Sequence, residues 1–414
     1  MLSGLTIRGR CLLAAGLAAA VCAVVLDERD LLRVAVFVIT LPLLASWLSA
    51  RTRFGLRAER ELLPDQVSVD STATVRLLVH HDGRFPVGGM RLEDGVPYAL
   101  GARPRFALDH SPARGGTILE YPIHPALRGI HHIGPLRTRV SDPFGLSEFE
   151  RELSGHDRLV AVPRVVPMRG LPAGSGLGGG EEGTQYLQAG HGEDDTMVRQ
   201  YRHGDEMRRV HWKSTAHRDE LMVRNEEQPH HGGVTVLVDH RGSAHRGTGA
   251  RSSLEWAISA AASIHAHLRH HGRHARLVTQ VGHCLSGDSG MTRGDDSTTL
   301  EALAALQPSP QRELVCDSDP GVGRELIAVL GATTTAGVTE LTKVRPPGAR
   351  SLALLLDVRA WNGDAADGGF RPEVTAHRLR AAGWSVVTVD GPDTPAAAVW
   401  ERLCRQSGSA VMID

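Results

Sequence analysis

The sequence predicts a multi-domain α+β chain: an N-terminal transmembrane helical hairpin, an antiparallel β-sandwich and a parallel-sheet α/β domain. Three observations carry this. Two charge-free apolar runs, Cys11 to Leu26 and Val34 to Ala50, open the chain. From Val67 to Val165, short segments rich in branched residues are separated by Gly, Pro and Asp, as in antiparallel strands. Beyond Val234, apolar runs alternate with helical periodicity, the pattern of a parallel sheet covered on both faces. The 414 residues suffice for two or three domains. The boundaries fall at residues 1–52 for the hairpin, 53–168 for the sandwich, 169–198 for a Gly-rich linker and 199–414 for the α/β domain.

Each apolar run approaches the roughly 17–25 residues that a membrane-spanning helix needs. Leu31, Leu32 and a snorkelling Arg33 lengthen the second. Arg8 and Arg10 precede the pair, Arg51, Arg53, Arg57 and Arg60 follow it, and Asp27-Glu28-Arg29-Asp30 fills the turn. Cations at the outer ends place both in the cytoplasm. The expectation is a two-helix protein of the inner (plasma) membrane with its soluble domains cytoplasmic. A cleaved signal peptide is the alternative for the first run; a second apolar run so close behind favours the hairpin.

Val67-Ser68-Val69, Thr74 to Val79 and Thr117 to Ile123 read as strands of the sandwich. Asp142-Pro143-Phe144-Gly145-Leu146 fits a type I turn: the Asp accepts backbone bonds, the Pro presets φ and the Gly relieves the exit. That piece and Arg128 to Pro135 admit a recognition loop or a structural corner, and turn chemistry alone accounts for the corner. Gly170 to Gly183 reads as linker and holds no phosphate-loop motif.

Val234 to Val238 is a near-continuous apolar strand ending in Asp239, and Ser351 to Leu356 is a second one ending in Asp357. Ala275 to Thr279 and Trp384 to Val389 read as further strands; Ser253 to Leu268, Thr299 to Leu306, Arg324 to Leu330 and His377 to Ala382 read as helices. The result is a Rossmann-type parallel sheet, in which acids at strand carboxyl ends stand where ligands bind.

Composition excludes several classes. With 46 basic and 47 acidic residues the net charge is −1, which gives no electrostatic reason to bind nucleic acid. Aromatics are only 4%, so base-stacking platforms are not expected. The five cysteines form no CxxC, and no zinc site or disulfide framework is legible. His267, His271 and His274 share helical spacing, but no nearby Cys or acid completes a metal shell.

The run Tyr201 to Ala216 packs a tyrosine, Gly204-Asp205, several cations and Trp212 into a pattern that is neither amphipathic helix nor plain strand. With Arg199 before it and Leu221 to Arg224 after it, this run resembles the central signature of the domain of unknown function 58 family. Arg128 to Pro135 and Asp142 to Leu146 are similar to that family's signature near the end of its sandwich. The resemblance implies a two-helix anchor, a sandwich and a von Willebrand factor A-like domain. It also implies a MoxR-type AAA+ ATPase as partner, alongside the lipid bilayer, and a role in assembling or maturing envelope-linked or secreted complexes. Related operons often encode transglutaminase-like proteins, a further implied partner. Three readings of the signature stay open: an acid–base set of Asp205 with His211, a docking surface of Arg199, Arg208, Arg209 and Lys213, or a structural piece in which Gly204-Asp205 turns the chain and Trp212 anchors the core. The signature residues singled out are Arg199, Tyr201, Gly204, Asp205, Arg208, Trp212 and Lys213.

Asp239-His240-Arg241-Gly242-Ser243 resembles the D-x-S-x-S metal loop of von Willebrand A domains. Asp239 and Ser243 match, while Arg241 puts a fixed positive charge where Mg²⁺ would sit. Thr298 or Thr299 could mimic that family's threonine ligand and Asp357 its second acid. The expectation is a degenerate loop with no metal and no cofactor, Mg²⁺ being disfavoured by Arg241, and a non-enzymatic adaptor. The rival is a metal-dependent binding module or enzyme built on the Asp239 loop.

Overall fold

The structure is a computed structural model that describes residues 4–52, 56–81, 89–108, 116–142, 144–172, 198–200, 216, 222–224, 233–286, 294–315, 325–345, 350–361 and 370–408. It is a mixed α+β chain in two units, one of Met1–Val165 with Asp296–Gln307, the other of Val166–Asp295 with Pro308–Asp414.

The first unit opens with two antiparallel helices, α1 (Ile7–Val25) and α2 (Arg29–Thr52). Thr6 caps α1 by accepting the Gly9 N–H. The helices approach closely at Gly16, where a Cβ would stand 2.7 Å from Ile39 Cγ1. Both helices are long and apolar enough to cross a membrane, with a mean hydropathy of 1.7. Their outward side chains include Val24 and Phe37, both exposed, as lipid-facing residues would be.

Ten strands follow: β1 (Leu56–Leu63), β2 (Gln66–Ser68), β3 (Ala73–His81), β4 (Met90–Asp94), β5 (Arg105–Leu108), β6 (Thr117–Ile123), β7 (Gly129–Ile133), β8 (Leu136–Ser141), β9 (Glu148–Ser154) and β10 (Asp157–Val162). Two antiparallel sheets, β1-β3-β6 and β5-β4-β8-β9, share one core of alternate residues, with Val75, Leu77 and Val79 of β3 beside Met90 and Leu92 of β4. The third sheet, β2-β10-β7, departs from the all-antiparallel expectation, because β2 and β10 run parallel. These strands lie far apart in the chain, so no hairpin forces the antiparallel sense.

One polar cluster lies inside this unit. Arg60 Nη2 and Nε bond the Asp94 carboxylate at 2.6 and 3.1 Å, and Nη1 reaches Asp157 and the carbonyls of Ile133 and Gly155. The Arg60 and Asp94 side chains are fully buried. Tyr121 donates its hydroxyl to Asp94 at 2.6 Å, and burial, then that carboxylate, push its ionisation well up. Arg60, which reads in sequence as part of the basic flank of the hairpin, is therefore an internal strut of the β-structure.

The Asp142 corner is also internal. Its carboxylate accepts the N–H groups of Phe144 and Ser147, and Gly145 adopts φ +67°. Thr6 donates to the carbonyl of Gly145, and Ser147 Oγ to that of Ala45, so the corner ties the helix pair to the strands. Arg128 caps the end of α4 (Gly294–Ala305) by donating to the carbonyls of Leu303 and Leu306. From Asp296 on, that helix belongs to the first unit.

In the second unit, β11 (Val198–Gln200) pairs antiparallel with β12 (Met222–Arg224), with Arg199 opposite Val223. These two strands flank the signature run in the sequence. A five-stranded parallel sheet follows, made of β13 (Val234–Val238), β14 (Ala275–Thr279), β15 (Glu325–Leu330), β16 (Ser351–Leu356) and β17 (Ser385–Val389) in the order β14-β13-β15-β16-β17. β13 and β16 are buried along their whole length, so both faces are covered. The helices are α3 (Ser253–His270), α5 (Thr335–Lys343), α6 (Pro372–Ala381) and α7 (Ala396–Gln406). Ser252 opens α3 by accepting the Glu255 N–H on its side-chain hydroxyl. Trp400 of α7 is fully buried and donates its indole N–H to Gly170 at 3.0 Å.

Residues 325–330, expected to be helical, form the buried strand β15. Leu326 to Leu330 are apolar on every side, and such a short run carries no period that separates a helix from a buried strand. The helix of this region is α5, one loop later.

Candidate functional site

The strand order reverses between β13 and β15, and both strands point their carboxyl ends at one cleft. In sheets of this type that reversal is where ligands bind. Asp239 follows β13 directly and is fully buried. Its Oδ1 accepts the backbone N–H of Arg241 at 3.1 Å and the Nε–H at 2.9 Å. Its Oδ2 accepts Arg241 Nη2 at 2.7 Å and the N–H of Gly331 at 3.4 Å. The Arg241 guanidinium, only 2% exposed, also donates to the carbonyls of Arg312 and Ala332. Four donors occupy the carboxylate, and the positive charge beside it is a side chain of the same loop.

The surroundings fix that arrangement. A Cβ on Gly331 would stand 2.3 Å from the Ala244 carbonyl oxygen, so only glycine lets the β15 loop approach closely enough to reach Asp239. His245 Nε2 donates to the Asp239 carbonyl at 2.8 Å, which leaves Nδ1 to accept from Ser253 Oγ at 3.0 Å. Burial lowers the pKa of His245, so the ring stays neutral and serves as a brace. His240 Nδ1 bonds Gln280 Oε1, whose oxygen also accepts the His240 N–H. Ser243 Oγ faces the carbonyls of Gln311 and Arg312.

The same device recurs after β16. Arg359 Nε and Nη2 grip the two oxygens of Asp357 at 2.7 and 2.8 Å, and the Arg359 N–H closes on Oδ1. The bonds from Arg359 hold the Asp357 carboxyl below its ordinary range. Asp-x-Arg at a strand end thus makes a self-neutralised fork twice in this sheet, with an arginine two residues on in each case.

Thr298 and Thr299, the threonine candidates for a metal loop, lie on α4 in the first unit. The threonines at the Asp239 cleft are Thr333, Thr334 and Thr335, in the loop from β15 into α5. Reading 325–330 as a strand would have exposed them, since three threonines then follow a strand end. His267 and His271 bond carbonyls, Nε2 to Gly170 and Nδ1 to His267 respectively. Among the described residues no cluster of three His, Cys, Asp or Glu could hold a metal ion. Arg199 sits on β11, and Tyr201, Gly204, Asp205, Arg208, Trp212 and Lys213 lie outside the described residues.

Fold and site together define a chain with two apolar N-terminal helices, antiparallel sheets and a parallel-sheet unit whose leading acid is neutralised from within. Residues 197–311 match the family model described as "Protein of unknown function DUF58". That stretch of the chain is thus similar to the DUF58 family. It is 24% identical over 216 residues to the "Uncharacterized protein YeaD" of Bacillus subtilis (strain 168), a match covering 51% of this chain and 52% of that protein. The chain spans about half the length of this curated relative. Among solved structures, the CARDB domain of the PF1109 protein from Pyrococcus furiosus is 17% identical, at a TM-score of 0.19, covering 26% of this chain and 84% of that one. A cohesin module from a Clostridium perfringens family 33 glycoside hydrolase is 11% identical, at a TM-score of 0.21, covering 26% and 96%.

Proposed function

We propose that this protein is a membrane-anchored adaptor, held by its helical hairpin, that works with a MoxR-type AAA+ ATPase in assembling or maturing envelope-linked protein complexes. The observation that carries the non-enzymatic part is the closed Asp239–Arg241 fork. A carboxylate with four donors on it is available neither as a general base nor as a metal ligand. The ATPase is the partner that the DUF58 resemblance implies. The reading of the second unit as von Willebrand A-like rests on the Asp239 loop and the strand-end acids. Docking is assigned to the cations of the signature, Arg199, Arg208, Arg209 and Lys213.

Co-purification tests this. The full chain is extracted from membranes with the ATPase, as wild type and as Arg208→Glu with Lys213→Glu. The double reversal should weaken recovery of the ATPase by about tenfold or more and leave the unfolding midpoint unchanged, since like charges set against an acidic partner surface repel. A variant that unfolds would make these cations internal struts; full recovery of the ATPase would remove the docking assignment.

The anchor has its own test. The proposed topology has two spans with the residues on both sides of the hairpin in the cytoplasm. A reporter fused after Asp414 should be active in its cytoplasmic form only, and periplasmic activity would reverse the orientation.

A further inference from the structure

We propose that the cleft at the reversal between β13 and β15 binds a small phosphomonoester. This goes beyond the adaptor reading and does not depend on it. The cleft encloses about 470 Å³, within the range of small-ligand sites. Arg312, Arg371 and Arg378 line it together with Thr333, Thr334 and Thr335. Arg241 also reaches its wall, but the charge of that residue is met by Asp239.

The other three arginines carry the argument. Arg378 donates to the hydroxyl of Thr335. Among the described residues, neither it nor Arg312 nor Arg371 forms an ion pair with an acid, and no carboxylate lines the cleft. Three guanidinium groups around one concavity repel one another, and an anion placed among them relieves that repulsion. A guanidinium fork matches phosphate oxygens in pairs, which favours phosphate over a halide.

The backbone adds to this. α5 starts at Thr335, with Thr334 as its cap accepting the Gly337 N–H at 3.2 Å. The opening turn of a helix leaves amide N–H groups without intrahelical partners and carries a partial positive charge. Thr335 and Ala336 stand in that turn. Phe370 and Val374 supply an apolar flank, which suits the organic part of an ester better than bare phosphate.

The test uses the full chain in detergent, titrated calorimetrically with inorganic phosphate and with AMP at matched ionic strength. Both should bind saturably, with AMP the tighter. Arg312→Ala with Arg378→Ala should weaken both by at least about tenfold without moving the unfolding midpoint, since both side chains are exposed. Arg371→Ala alone should weaken both in the same direction. Saturable binding absent up to about 10 mM, or unchanged in the double variant, would overturn the site. AMP binding no tighter than phosphate would overturn the assignment to an ester.

Discussion

Replacing Arg241 by alanine is expected to destabilise the second unit by about 3–5 kcal/mol, because it strips the counter-charge from a fully buried carboxylate. Asp239 would keep only the N–H groups of residue 241 and Gly331. The loss extends to the carbonyls of Arg312 and Ala332, which the guanidinium also holds. Denaturant unfolding of the purified chain measures the effect. The double variant Asp239→Asn with Arg241→Ala should recover part of the loss, since the uncompensated charge is then gone. Equal stability of wild type and Arg241→Ala would mean that the fork is not the support described here.

A loss of similar size, about 3–5 kcal/mol, is expected in the first unit for Arg60→Ala. Arg60 bridges β1 to Asp94 at the end of β4, to Asp157 of β10 and to two backbone carbonyls, and its side chain is fully buried. Arg60→Lys keeps the charge but not the fork that grips both Asp94 oxygens, so it should recover only part of the stability. Arg57→Ala, at an exposed position three residues earlier in the same strand, should cost less than Arg60→Ala. The same unfolding measurement ranks the three, and an Arg60→Ala variant as stable as Arg57→Ala would refute the buried-strut role.

These two arginines also show what the sequence made legible. Arg241 stands two residues after its acid, so the conflict with a metal loop was readable directly. That it folds back as a fork on Asp239 was not, although the repeat at Asp357 and Arg359 is visible once the device is known. Arg60 finds Asp94 across the sheets, 34 residues on, and local sequence then suggested a membrane flank instead. The parallel sheet was legible where an acid directly follows an apolar run, as Asp239 follows β13 and Asp357 follows β16. β15 was not, because Leu326 to Leu330 are uniformly apolar and lead through Gly331 into threonines that a helical reading hid. The cleft arginines come from two separate segments, Arg312 in one and Arg371 with Arg378 at α6 in the other, and only the fold brings them together. The signature's Trp212 and its neighbours lie outside the described residues.

An arginine of the same loop, not a metal ion, completes the Asp239 corner. Calorimetric titration of Mg²⁺ into the purified full chain tests it most directly. No saturable Mg²⁺ binding is expected in the wild type, because the carboxylate is occupied and Arg241 repels a cation. Mg²⁺ binding of about micromolar affinity, abolished by Asp239→Asn, would contradict it.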